Sequence, residues 1–282
     1  RRCQLGAHPP LSLQIAADAR LSQTDHVDDQ LWERTLGAAD GPALNLHTRL
    51  GLRAGMISLV PMWLIDGRPI YQYQTYANPP QIEAFAPAYV RARARLTPQL
   101  DLIAEYWAMD SHAVGGRFTL HNRADHPLEL QLDLVGFAAS AGKELKLSLL
   151  PLETGGQALA LGRIGNVYPI ILLEHKAGTA AEPSSSSKIS ARLRVAPGAQ
   201  SSVRWAHAAR PDISASLALA QRWLKQNWDA HFKRIARAAA FIPAIETGDR
   251  ERDAAIAFAY QQLVQSFLKP TASLPAASFV AA

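Results

Sequence analysis

Cysteine is nearly absent: Cys3 stands alone among 282 residues. One thiol forms no disulfide within the chain and no cysteine-based zinc site. It suits a reducing compartment, and a cytoplasmic location is the expectation. No apolar run reaches the ~20 residues that span a bilayer, and no apolar signal segment opens the chain, so no membrane partner is expected. Also missing are a GxGxxG loop, a Walker loop, a nucleophile elbow, a CxxC pair and any internal repeat. Gly162-Arg163-Ile164-Gly165 has no helix after it and reads as a turn. Nine histidines are scattered without an HExxH or comparable ligand spacing; His47 and His121 sit in strand-like runs and read as structural. No cofactor and no metal are expected.

What is present is an ordinary globular composition, 48% apolar and 19% charged with a formal charge of +5. That excludes disorder as the dominant state and leaves one large domain or two modest ones. The densest basic stretch is Val90-Arg91-Ala92-Arg93-Ala94-Arg95-Leu96. Period-two alternation puts the three arginines on one face of a strand and the apolar residues on the other. A solvated outer sheet face is the plain reading and a phosphate-binding strand the alternative. No helix-turn-helix, zinc finger or aromatic RNA-binding signature accompanies it, so no nucleic-acid partner is expected.

From residue 11 to about 207 the alternation recurs. Leu13, Ile15, Ala17, Ala19 and Leu21 form one row, and Leu44, Leu46, Thr48, Leu50 and Leu52 another. Leu128, Leu130, Leu132 and Leu134 interleave with Glu129, Gln131 and Asp133. Leu145, Leu147 and Leu149 follow, and Ile189, Ala191, Leu193 and Val195 close the series. Such rows are strands with one buried and one wet face. Gly41-Pro42, Asp66-Gly67, Asn78-Pro79-Pro80, Gly115-Gly116, Asp125-His126-Pro127 and Pro197-Gly198 read as turns between them. Pro183-Ser184-Ser185-Ser186-Ser187 reads as a flexible surface loop. The fold class is therefore mainly β, a large antiparallel β-sandwich of roughly a dozen strands.

Past Pro211 the period becomes helical. Asp212 or Ser214 caps a first helix with Leu217, Ala220, Trp223, Leu224 and Trp228 near one side. After breaks at Ile242-Pro243 and Thr247-Gly248-Asp249, a second helix carries Ile256, Tyr260, Leu263, Val264 and Phe267, and Pro270 stops it. Two domains follow: residues 1–209 as the sandwich and 210–282 as helices whose apolar stripe needs a partner surface.

Two places carry candidate chemistry. Glu105-Tyr106-Trp107-Ala108-Met109-Asp110-Ser111-His112 gathers two carboxylates, aromatics and a histidine. Glu105 and Asp110 fit an acid/base pair and Trp107 a sugar-stacking face; a strand ending in a polar turn fits the same residues. Trp63, Tyr71, Tyr73 and Tyr76 flank Asp66-Gly67-Arg68, with Tyr71 and Tyr73 on one side of a strand, as a carbohydrate platform or as core packing.

The chain begins Arg1-Arg2-Cys3 and ends Phe279-Val280-Ala281-Ala282, which we read as a piece of a longer polypeptide. The passages Thr247-Gly248-Asp249, Asp253 to Tyr260, Ser266 to Thr271 and Leu274 to Val280 resemble the entry into the catalytic (α/α)6 barrel of bacterial six-hairpin glycosidases, the glucoamylase-like, processing-glucosidase-like and debranching-type group. Leu31-Trp32, Ala43-Leu44, Arg49-Leu50-Gly51-Leu52-Arg53, Gly116-Arg117 and Asn122 resemble the sandwich of the same group. The resemblance implies an N-terminal supersandwich, a second helix that opens a truncated barrel, and a parent hydrolase of oligo- or polysaccharide. It implies two catalytic carboxylates in barrel loops beyond residue 282, so no catalytic residue is assigned here. The implied partners are that C-terminal catalytic domain and carbohydrate. Trp107 and Asp110, with Ser278 and Phe279 from their position beside the implied barrel, are the candidate substrate-binding residues.

Three functions compete. In the first, the chain is a non-catalytic region that packs on and positions a catalytic barrel, with Trp63, Tyr73 and Trp107 buried. In the second it is a stand-alone carbohydrate-binding module, with those aromatics exposed in a row. In the third it is a small enzyme using Glu105 and Asp110, whose carboxyl groups would lie about 5–5.5 Å apart for retention or about 6.5–9.5 Å for inversion.

Overall fold

A computed structural model describes residues 11–22, 24–25, 30–36, 41–50, 53, 55–152, 157–174, 187–240, 245–268, 270 and 275–279. Cys3, His8, His26, His175, Leu52 and most of the serine-rich loop lie outside them.

Two eight-stranded antiparallel sheets make the sandwich. The first runs β1 (Leu11–Ile15), β2 (Trp32–Leu36), β3 (Leu46–Arg49), β4 (Gly55–Ile65), β10 (Leu128–Ser140) and β11 (Lys143–Glu144), with β5 (Arg68–Ile70) on β4 and β15 (Lys188–Val195) on β10. The second runs β12 (Ser148–Pro151), β13 (Gln157–Ala160), β14 (Tyr168–Leu173), β16 (Gln200–Arg210), β9 (Ala113–Asn122), β8 (Leu100–Asp110), β7 (Tyr89–Thr97) and β6 (Asn78–Ala86). Asp66 and Gly67 supply the two positive φ angles, 50° and 73°, of the tight β4–β5 hairpin, the conformation such two-residue turns demand.

The rows on β10 and β15 bury the predicted faces, whereas Ala17, Ala19 and Leu21 lie beyond the end of β1 and Leu145 and Leu147 lie before β12, outside any strand. Leu130, Leu132 and Leu134 of β10 and Ile189, Ala191, Leu193 and Val195 of β15 are all buried. Asp133, on the opposite side of β10, is also buried; there it accepts hydrogen bonds from Lys188 Nζ, Ser190 Oγ and Gln131 Nε2 at 2.6, 2.7 and 2.6 Å, which supply the partners a buried carboxylate requires. On β7, Val90, Ala92, Ala94 and Leu96 face the core. Arg91 and Arg93 both pair with Glu83, and Arg95 with Asp101.

Between the sheets, Trp63 meets Phe118 edge-on at 5.4 Å, and Tyr106 meets Phe118 and Trp205 at 6.0 and 6.1 Å. Gly115-Gly116 is no turn: it lies inside β9, facing Trp107 and Tyr106 of β8. A Cβ on Gly116 would stand 2.3 Å from Trp205 Nε1, and one on Gly115 would stand 2.7 Å from the Trp205 carbonyl and 3.0 Å from Trp228. Close approach, rather than chain reversal, is what these glycines provide. Asn78-Pro79-Pro80 likewise belongs to β6. β6 is an edge strand with a register shift after Asn78, where proline's missing donor is tolerated. Tyr71 and Tyr73 do not share a strand: Tyr73 opens a 3-10 turn, Tyr73–Thr75.

Three helices follow where two were expected: α1 (Ile213–Leu224), α2 (Trp228–Ala240) and α3 (Arg250–Gln265). Asp212 caps α1, accepting from the Ala215 N–H at 2.7 Å. The break at Lys225–Asn227 was missed because Trp228 continues the apolar spacing; it instead starts α2 and donates its indole N–H to the Trp223 carbonyl at 3.0 Å. α1 packs on β14 and β16. Asp249 begins α3, accepting from the Arg252 N–H at 3.2 Å. Phe267 lies beyond α3, in β17 (Phe267–Leu268), which pairs with β18 (Ser278–Phe279). No helix among the described residues is long and apolar enough to cross a membrane.

Two predictions follow from this core. Gly116→Ala should destabilise the chain by about 1–3 kcal/mol through overpacking, read from urea unfolding. His207, fully buried against Trp32 at 4.8 Å, is pushed down to about 3 by burial, below the value of about 6.5 in an unfolded chain. The unfolded state therefore binds the proton first. His207's contribution should be complete above pH ~6.5 and fall by up to about 1.4 kcal/mol per unit as pH drops toward 3. His207→Leu should flatten the pH 6.5–4.5 part of that profile.

Candidate functional site

The candidate site lies where the end of β8 meets α1 and α2. Trp107 is only 5% exposed, because the helices cover it: ring centroids of Trp223, Trp228, His231 and Phe232 lie at 5.2, 5.7, 4.5 and 6.1 Å. Trp107 pairs across the strands with Gly115, where the missing side chain leaves room for Met109 Cε and, beside it, Trp228. Trp107 is thus the seat of the helices on the sheet, with one edge at a cavity. Burial depresses the basicity of His231, and the nearby Arg234 charge adds to the effect.

Asp110 closes β8 after a register shift at Ala108. Its carboxylate accepts from the His112 backbone N–H at 2.8 Å and Trp223 Nε1 at 3.1 Å, and Arg222 stands 3.6 Å away. Two cavities meet here, and both are lined by Asp110 and Arg222. One, of about 290 Å³, is completed by Trp107, Trp223, His231 and Arg234 among others. The other, of about 720 Å³, adds Asp25, His112 and Arg210. His112 Nε2 lies 3.4 Å from Asp25, whose backbone N–H donates to Ser111 Oγ at 2.7 Å. The loop that forms the first cavity's far wall is tied to α2: Arg20 pairs with Asp18 and donates to the Ala238 carbonyl at 3.2 Å, and Arg234 donates to the Leu21 carbonyl at 3.2 Å. Carboxylates and guanidinium groups set among tryptophans suit a polar, uncharged ligand with many hydroxyls. Each hydroxyl both donates and accepts, and its ring faces are apolar.

Glu105 belongs elsewhere. Tyr89 Oη and Arg117 Nε each donate to its carboxylate at 2.7 Å, and Arg117 Nη1 reaches Asp229 of α2 at 2.6 Å. Burial works to lower Arg117, but its bonds to Glu105 and Asp229 prevail and raise it, while Asp229 is held below the usual carboxylate range by Arg117. Glu105 lines a separate hollow of about 330 Å³ on the outer face of the second sheet, with Arg91, Ile103, Arg117 and Thr119. Five positions of extended strand separate it from Asp110, or ~16 Å. Glu105 lines a hollow that Asp110 does not border, and Asp110 lines cavities that Glu105 does not border, so the two carboxylates share no cavity in which to act as a pair.

Of the candidate residues, Trp107 and Asp110 share a cavity. Ser278 and Phe279 line neither cavity at Asp110, and Phe279, 61% exposed, packs against Phe267 at 5.4 Å. The exposed aromatic row is also missing: Trp63 is 0% exposed, Trp107 is covered, and Tyr73 packs partly buried against the core. Asp25, Arg210 and Arg222 went unnoticed in the sequence, which carries no local signal that a loop, a strand end and a helix converge. No group of three or more histidine, cysteine, aspartate or glutamate side chains among the described residues is placed to hold a metal.

No protein-family model matches the sequence, and no curated protein matches it. Solved structures do. The "putative kojibiose phosphorylase from human microbiome" is similar at a TM-score of 0.56 and 9% identity, over 85% of this chain and 39% of that one. A bacterial glucoamylase complexed with acarbose is similar at 0.51 and 8%, over 94% of this chain and 43% of that one. The likeness is one of fold. The chain spans about two fifths of the length of each.

Trp107→Ala should cost about 3–5 kcal/mol and speed amide hydrogen exchange in α1 and α2. Asp110→Asn leaves one side-chain oxygen for two donors, the His112 N–H on Oδ1 and Trp223 Nε1 on Oδ2, and should cost about 1–3 kcal/mol in urea unfolding.

Proposed function

We propose that this chain is the non-catalytic sandwich-and-helix region of a glycoside hydrolase acting on oligo- or polysaccharide, and that it packs against and positions a catalytic (α/α)6 barrel in the same polypeptide. The observation that carries the reading is the fold shared, over most of this chain and about two fifths of theirs, with a kojibiose phosphorylase-like protein and a glucoamylase. α3 supports it. Ile256, Tyr260 and Val264 are only partly covered and Leu263 is 50% exposed, a flank that a neighbouring barrel helix would bury. In this reading the sandwich is a supersandwich, residues 1–209 and 210–282 are separate domains, and α3 is the first barrel helix. Carbohydrate reaches the Trp107–Asp110 cavity and the Ser278–Phe279 hairpin at the barrel's edge. The work is cytoplasmic, as one cysteine suits.

The cavity at Asp110 keeps a second reading alive, a stand-alone carbohydrate-binding module. Expression of the whole open reading frame beside this chain separates the two, with both assayed for reducing-sugar release from a panel of α- and β-linked oligosaccharides. The proposal expects a continuation of several hundred helix-rich residues, activity in the whole product and none in this chain. Turnover by this chain, or a reading frame that stops near Ala282, would overturn it.

A further inference from the structure

Arg34 lies on the inward side of β2, two residues after Trp32, while Glu33 between them turns outward to His47 at 2.9 Å. The Arg34 side chain is sealed between the sheets, with the residue 1% exposed. Its guanidinium sits over the Tyr106 ring, 5.1 Å from the centroid, and Nη2 makes one long hydrogen bond to the Ala43 carbonyl at 3.4 Å. Among the described residues Nε and Nη1 have no acceptor. Arginine keeps its charge in proteins. A buried cation with two idle donors and no carboxylate is among the costliest groups a core can hold, and a cation–π contact returns only a small part of that cost.

Other donors buried in this core also have no partner among the described residues, and Tyr76 Oη can accept as well as donate. The Tyr76 hydroxyl and the indole N–H groups of Trp63 and Trp205 are buried without partners. Trp63 and Trp205 join the Arg34–Tyr106 pair through the edge-on stack of Trp63, Phe118, Tyr106 and Trp205. Tyr106 itself is engaged, since its hydroxyl donates to the Leu44 carbonyl at 2.8 Å. Arg34 therefore brings into the core a positive charge and two idle donors that no carboxylate among the described residues meets. With Arg34 and Tyr76 both buried, no ligand with a body reaching solvent fits, which sets the size as well as the sign. We propose that Arg34 holds a small monovalent anion, of the size and charge of chloride, inside the sandwich.

The test is urea unfolding of the chain at pH 7.5 in sodium chloride or bromide, with sodium gluconate holding the ionic strength constant. An anion bound only by the folded state lowers the unfolding constant tenfold for each tenfold rise in halide once the site is filled. The expected slope is therefore one for the native chain and zero for Arg34→Met, which keeps length without charge. A halide-independent native chain overturns the proposal in favour of ordered water at the donors, and so does a slope that survives in Arg34→Met. If Arg34→Met does not fold, native crystals grown in bromide decide. An anomalous peak beside the Arg34 guanidinium supports the site, and its absence there overturns it.

Discussion

Two adjacent residues without side chains hold this architecture together. Successive positions of a strand face opposite ways, so Gly115 and Gly116 open gaps on both faces of β9 at one level. On the inner face the indole of Trp205 lies across Gly116, and the aromatic stack of the core is built from there. On the outer face Trp228 descends over Gly115, and Trp107, Trp223 and Phe232 gather around it. A methyl group on Gly116 would collide with the Trp205 indole, and one on Gly115 with Met109 Cε and the Trp205 carbonyl. The sandwich core and the seat of the helices are thus parts of one constraint.

That seat determines what the outer face of the second sheet can offer. Arg91, Glu105, Arg117 and Arg204 lie opposite one another across four strands. Each charge is drawn into pairing: Arg91 with Glu83, Glu105 with Arg117, Arg117 with Asp229, and Arg204 with Glu174. A ladder so compensated is a structural surface and a means of fixing α2. At the strand end, Asp110, Arg222, Arg210 and Asp25 border two adjoining cavities. Arg34, by contrast, is a buried charge with no carboxylate partner among the described residues.

Much of the fold was legible because burial on one face writes a period of two into a strand. The rows through Leu130 and Leu193, and the arginine face of β7, needed nothing else. The errors came from residues whose local meaning is ambiguous. Gly115-Gly116 and Pro79-Pro80 punctuate a chain when seen alone, yet one pair makes room and the other sits on an edge. Trp228 continued the stripe of α1 while its indole N–H was already bonded to the carbonyl of Trp223. The candidate site was half legible: Trp107 and Asp110 stand close together in the sequence, whereas Arg222 and Asp25 come from a helix and a loop remote in the chain.

By itself the sequence determined that this is a mainly β chain with helices after Pro211, since side-chain period and turn chemistry are local properties. Which polar groups are spent and which are available was decided only by tertiary structure. Glu105 and Asp110 look equivalent when written in a line. Tyr89 and Arg117, from neighbouring strands, and Trp223 and Arg222, from a helix, send them to opposite ends of that comparison. Hydrogen-bond partners are a matter of distance in space, and no pattern along the chain encodes it.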